Sequence, residues 1–118
     1  MNLNQLDIIV SDVPQVCADL ERILDKKADY VDDSFAQFTI GSHCLMLSEK
    51  HLISLENFQS GIILHIEVED LDQNYKRLKE IGSEILHGPC ETDWGTESLL
   101  VKGPAGLVID FYRMKQVA

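Results

Sequence analysis

The sequence predicts an α+β fold made of two tandem β-α-β-β-β modules. Their strands form one curved mixed sheet with a concave trough, and the helices lie on the outer face. Three observations predict this. The first is an internal repeat. Leu6, Ile8, Val10, Asp12, Gln15, Leu20 and Ile23 recur in one register, 58 positions on, as Leu64, Ile66, Val68, Asp70, Gln73, Leu78 and Ile81. The second is a switch inside each copy from alternation by two to recurrence by three and four, which is the change from strand to helix. The third is a closing hairpin. In Leu99–Tyr112, Pro104 and Gly106 punctuate two β-branched and aromatic runs. A two-layer unit buries one sheet face under its helix and leaves the other bare. Two units side by side therefore make a trough of their helix-free faces. A ferredoxin-like α+β sandwich shares the short strands and two helices and is the competing fold.

Each element follows from its residues. Leu6, Ile8 and Val10 alternate with Gln5, Asp7 and Ile9 as a strand with one apolar face. Ser11-Asp12 offers an N-cap, and Pro14 suits the first turn of a helix. Val16, Leu20, Ile23 and Leu24 form the helix's apolar stripe, and Lys26 and Lys27 suit its C-terminal end. Residues 28–31 and Asp32-Asp33 read as a short link. Phe35–Ile40 is a strand, Gly41-Ser42 a turn, and His43–Ser48 a returning strand. Leu45 and Leu47 face one way on it, and Cys44, Met46 and Ser48 the other. Residues 50–60 read as a linker between module one (about 1–49) and module two (about 61–118) of a single domain. The second copy opens with Leu64, Ile66 and Val68, then a helix capped by Asp70, carrying Tyr75, Leu78 and Ile81, and ended by Gly82. Residues 84–87 are a short strand broken by Gly88-Pro89, and residues 90–95 are a loop holding Trp94. Two strands around Gly103-Pro104-Ala105-Gly106 close the chain.

Composition narrows the function. The 118 residues carry 20 acidic and 10 basic side chains, a net charge of −10. Nucleic acid and anionic membrane surfaces need a basic footprint, so neither is expected as a partner. Three cysteines without CxxC spacing give neither a disulfide framework nor a zinc finger, and a reducing cytoplasm is the expected compartment. No apolar run reaches membrane-spanning length, and the N-terminus lacks a secretory pattern. No glycine-rich phosphate loop is present. Cys44, Ser11 and Ser48 have no base placed in sequence to activate them.

The closing hairpin, the two strand-to-helix junctions Val10-Ser11-Asp12 and Val68-Glu69-Asp70, and Trp94-Gly95 together resemble the vicinal oxygen chelate superfamily. That superfamily contains glyoxalase I, bleomycin-resistance proteins and extradiol dioxygenases. The resemblance covers essentially the whole chain and implies the two-module fold. Gly103 stands where the family's turn has aspartate, and Asp110 where a strand glutamate often ligates a metal. Metal-dependent relatives place one ligand on each of four strands. Carried over position by position, those are Gln5, Met46, Ile63 and Asp110. Isoleucine has no donor atom, and a thioether suits Cu(I) rather than Mn, Fe, Ni or Zn. Two oxygen ligands are too few, so no metal, cofactor or catalytic residue is assigned.

Strand parity places Gln5, Asp7, Met46, Ile63, His65, Glu67, Asp110 and Tyr112 in the trough, and the resemblance adds Trp94. Carboxylates beside aromatic faces attract cations. The expected function is binding and sequestering an organic ligand, cationic or aromatic, without metal, by a homodimer. The family-implied alternative is a metal-dependent lyase, isomerase or dioxygenase using His65, Glu67, Asp110 and Asp7 as displaced ligands. His65 lies two residues beyond Ile63, roughly 6–7 Å along the strand. A third use of the fold, for protein interaction or structure alone, carries no such site.

Overall fold

The computed structural model describes residues 2–49, 62–92 and 95–115. The chain divides into two compact units, Met1–Gln59 and Ser60–Ala118. In the first, β1 (Gln5–Val10) leads into α1 (Val13–Leu24), followed by β2 (Tyr30–Val31), β3 (Phe35–Ile40) and β4 (His43–Glu49). In the second, β5 (Ile63–Glu67) leads into α2 (Leu71–Glu80), followed by β6 (Ile85–Glu91), β7 (Thr96–Lys102) and β8 (Val108–Met114). The sheets have the same order, β1-β4-β3-β2 and β5-β8-β7-β6. In each, the first strand runs parallel to the last, and the other pairs are antiparallel. The repeat in the sequence is therefore a repeat in topology. Among the described residues no helix is long and apolar enough to cross a membrane.

The repeated residues do the same work twice. The Asp12 carboxylate accepts the backbone N–H of Gln15 at 3.2 Å, and that of Asp70 accepts the N–H of Gln73 at 2.9 Å. Each satisfies one of the donors that a helix start leaves open. Helix α1 stops at Leu24 because Asp25 turns left-handed (φ 54°), so Lys26 and Lys27 lie just past the helix. Cys17, Leu20 and Ile23 on α1 are buried with Ile8, Val10, Phe38, Leu45 and Leu47 of the first sheet. Burial pushes the Cys17 thiol above its ordinary pKa, with Glu21 adding to the effect. In the second unit, Leu71 and Leu78 are buried with Leu99, Val101, Ile109 and Phe111.

Two segments depart from the sequence expectation. The link at residues 28–31 contains β2, which pairs Tyr30 with Gln37 and Val31 with Ala36. Asp32 makes the turn: one carboxylate oxygen accepts the N–H groups of Ser34 and Phe35, and the other accepts the Tyr30 hydroxyl at 2.6 Å. That hydroxyl bond lowers the Asp32 pKa and raises that of Tyr30. The strand expected to break at Gly88-Pro89 instead continues to Glu91, taking two register shifts against β7. Cys90 and Glu91 are thus strand residues rather than loop. The β7–β8 turn is as the sequence predicts, with Pro104 at its start and Gly106 at φ 75°.

Candidate functional site

Burial and register fix which side chains share the helix-free face of each sheet. In the second unit, Ile109, Phe111, Leu99 and Val101 are buried on the helix side. Their alternates lie on the other side, where the register forms three rows. Ile63, Val108 and Lys102 align in the first, His65, Asp110, Leu100 and His87 in the second, and Glu67, Tyr112, Ser98 and Cys90 in the third. The parity expected for Ile63, His65, Glu67, Asp110 and Tyr112 therefore holds.

The centre of this face is a hydrogen-bonded pair. Nδ1 of His65 lies 2.7 Å from Oδ2 of Asp110 across the β5–β8 pairing. The imidazole side chain is 61% exposed and the carboxylate 6%. Oδ1 of Asp110 is buried and has no hydrogen-bond partner. An unsatisfied buried acceptor costs about 1–3 kcal/mol. Elsewhere on the face, Thr96 and Ser98 are buried and joined by hydroxyl contacts at 3.2 Å, with Thr92 at 2.8 Å from Thr96. These hydroxyls were open to sequence reasoning, because parity counted back from Leu99 places Thr96 and Ser98 on the side of Asp110.

In the first unit, the corresponding face carries Gln5 beside Cys44, Asp7 beside Met46, and Ile9 beside Ser48. Gln5 and Asp7 are exposed and Met46 half-buried. The Ser48 hydroxyl donates to Asp7 at 2.8 Å. Gln37, not singled out by sequence, lies beside Met46, and its amide contacts Cys44 Sγ at 3.8 Å. Trp94 and residues 50–60 lie outside the described residues.

Of the positions that the resemblance gives to metal ligands, Ile63 in the second unit offers no donor atom and Met46 in the first a soft one. Among the described residues no three His, Cys, Asp or Glu side chains gather into a group able to hold a metal ion. The displaced set is not brought together: His65 and Asp110 meet, and Glu67 pairs in register with Tyr112 instead.

A cavity of about 840 Å³ opens at the far end of this sheet, lined by Glu67, Glu69, Glu91, Glu97, Arg113 and Lys115 among others. Its cations are engaged. Arg113 donates to Glu97 at 3.0 Å and lies 3.8 Å from Asp72, and Lys115 pairs with Glu91 at 2.9 Å. The bond to Glu97 raises the Arg113 pKa further.

The family model of the Glyoxalase/Bleomycin resistance protein/Dioxygenase superfamily matches residues 2–111. A solved structure described as a conserved domain protein is 83% identical, with a TM-score of 0.90, covering 98% of this chain and 100% of its own. A glyoxalase/bleomycin resistance protein/dioxygenase from Nocardioides is 19% identical, with a TM-score of 0.82, covering 100% of this chain and 86% of that one. A family enzyme from Burkholderia phytofirmans PsJN is 17% identical, with a TM-score of 0.78, over 97% and 99% of the two chains. Among curated proteins, none matches.

Proposed function

Because this chain belongs to the Glyoxalase/Bleomycin resistance protein/Dioxygenase superfamily, we propose that it binds a small organic molecule without a metal and acts by holding it. The ligand is cationic or neutral and aromatic rather than anionic. In the second unit the binding side chains are those on the helix-free face, with Asp110 and His65 central and Ile63, Glu67 and Tyr112 beside them; in the first unit Gln5, Asp7 and Met46 on the corresponding face are proposed as ligand-binding residues. Trp94 contributes a π face to the ligand in this reading.

The observation that carries this reading is the carboxylate of Asp110. It is buried, one oxygen is bonded to His65, and the other has no donor. A ligand N–H supplies that donor, and a protonated amine also offsets the negative charge. His65 is exposed and bonded to the same carboxylate, so it joins the buried Asp110 to the exposed side of the face. Glu67 adds negative charge on the same face, which disfavours a bound anion.

The test is a binding screen by thermal shift and calorimetry against matched aromatic amines, neutral analogues and carboxylates. Amines and neutral aromatics are expected to bind. Asp110→Asn is expected to weaken the amines by about tenfold, roughly 1.4 kcal/mol, with added salt reducing amine binding more than neutral binding. A screen that returns mainly carboxylates or phosphates, with affinity unchanged in Asp110→Asn, would refute the proposal. A stoichiometric Mn, Fe, Ni or Zn ion that is lost on mutating His65 or Asp110 would also refute it.

A further inference from the structure

His65 and Asp110 have the geometry of a base and its positioning group. A carboxylate that is ionised only accepts hydrogen bonds, so in the pairing of such a carboxylate with a neutral ring the 2.7 Å contact calls for the imidazole hydrogen on Nδ1. Nε2 then carries a lone pair, on a ring that is 61% exposed. The carboxylate behind it is buried, and its second oxygen has no competing donor. His65 is therefore the one described group that draws on its acceptor strength. The pair belongs to the second unit alone. The repeat puts Asp7 where the second unit has His65, and Asp7 is bonded to a serine hydroxyl.

We infer that His65 and Asp110 form a metal-free general-base dyad. In it, His65 Nε2 removes a proton from a weakly acidic C–H of a neutral or cationic organic molecule held on this face. His65 is the catalytic residue and Asp110 the positioning residue. The inference rests on the ligand-binding reading above. The C–H bond breaks, its electron pair passes into an adjoining unsaturated group, and the proton stays on Nε2. The positive ring is then met at 2.7 Å by the carboxylate. Nε2 returns the proton to another atom of the same molecule or to water, so no oxidant, reductant or metal is consumed. The register also sets a substrate shape. Ile63, Val108 and Lys102 form the row on one side of the dyad, Glu67, Tyr112 and Ser98 the row on the other, and Leu100 lies beside Asp110 in the dyad's own row. Ile63, Val108 and Leu100 offer apolar contact next to the dyad, which suits a molecule with an apolar body.

The probe is 5-nitrobenzisoxazole, a neutral aromatic carbon acid. Removal of its C3 proton breaks the ring N–O bond, leaving a nitrile and a coloured phenolate, with nothing else added. Wild-type protein treated with EDTA is expected to open the ring faster than an equal concentration of free imidazole. His65→Gln should lose about 10²-fold or more of that rate. His65→Ala should recover part of it when imidazole is added. In Asp110→Asn the amide can donate to Nδ1, so the ring should switch to the Nε2–H tautomer. Long-range ¹H–¹⁵N correlation should show that switch, with a loss of rate of at least about tenfold. Because His65 is exposed, its variants are expected to fold, and circular dichroism verifies this. A wild-type rate in His65→Gln, abolition by EDTA, or absence of imidazole rescue would each overturn the dyad. Probe binding is followed in parallel by chemical-shift changes. Binding without turnover overturns the dyad and leaves the ligand-binding reading standing, whereas absence of both removes both.

Discussion

If Asp110 serves a ligand rather than the fold, replacing it with leucine should stabilise the protein while abolishing binding. Leucine is close to aspartate in branching and fits a β-strand position flanked in register by Leu100, with Val108 two residues back on the same face. Asp110→Leu loses the bond to His65. That imidazole is largely exposed, so the pair is screened and its loss costs about 0.5–1 kcal/mol. The substitution also removes an acceptor buried without a partner, which returns about 1–3 kcal/mol. It further adds apolar area beneath a surface that leaves the position only 4% exposed. The balance is a stabilisation of about 1–2 kcal/mol. At this chain length that raises Tm by roughly 4 °C per kcal/mol. Urea unfolding followed by circular dichroism measures the first quantity, and a thermal scan the second. Both are read beside the binding screen. A destabilisation of more than about 1 kcal/mol would refute the reasoning, because it would make the His65–Asp110 bond part of what holds β5 to β8. The expected pattern, stability gained as binding is lost, is the usual trade-off at a functional position.

Three further outcomes follow from the fold. Asp12→Ala and Asp70→Ala should each cost about 1 kcal/mol in urea unfolding, since each removes the same N-cap bond; a silent variant would show that its cap does not operate. Gly88→Ala should cost about 2–4 kcal/mol. Its φ is +92°, and a Cβ there would lie 2.4 Å from the Ser98 carbonyl oxygen, so backbone must move; an unchanged melting temperature would contradict the close approach of β6 to β7. Leu3, Leu6 and Ile63 are exposed apolar residues on or just before β1 and β5, the edge strands of their sheets, and a second copy of the chain is the proposed cover. Light scattering should give twice the chain mass at micromolar concentration, and a monomer mass would rule the dimer out.

The sequence alone determined what depends on near neighbours along the chain. Strand parity is a period of two, so Leu64 and Ile109 on the helix side place His65 and Asp110 on the other. The caps were legible because an aspartate reaches an N–H three residues on, and the Asp-x-x-Gln spacing occurs twice. The Pro104–Gly106 turn was legible because its residues set their own dihedral angles. What only the tertiary structure decided lies in the pairing of distant strands. His65 meets Asp110, 45 positions away, because β5 runs parallel to β8 in one register of several that the alternation allows. The same parallel pairing of β1 with β4 brings Ser48 to Asp7 and makes an apparently unpartnered hydroxyl a donor. Tyr30 and Val31 are too few to show a period, and they become a strand through the ladder that β3 offers them. Gly88-Pro89 reads locally as a break, yet the hydrogen bonds of β7 carry β6 through it by register shifts. Parity is a property of one strand, whereas a hydrogen-bonded pair across strands is a property of two, and their register is set by the packing of the whole sheet.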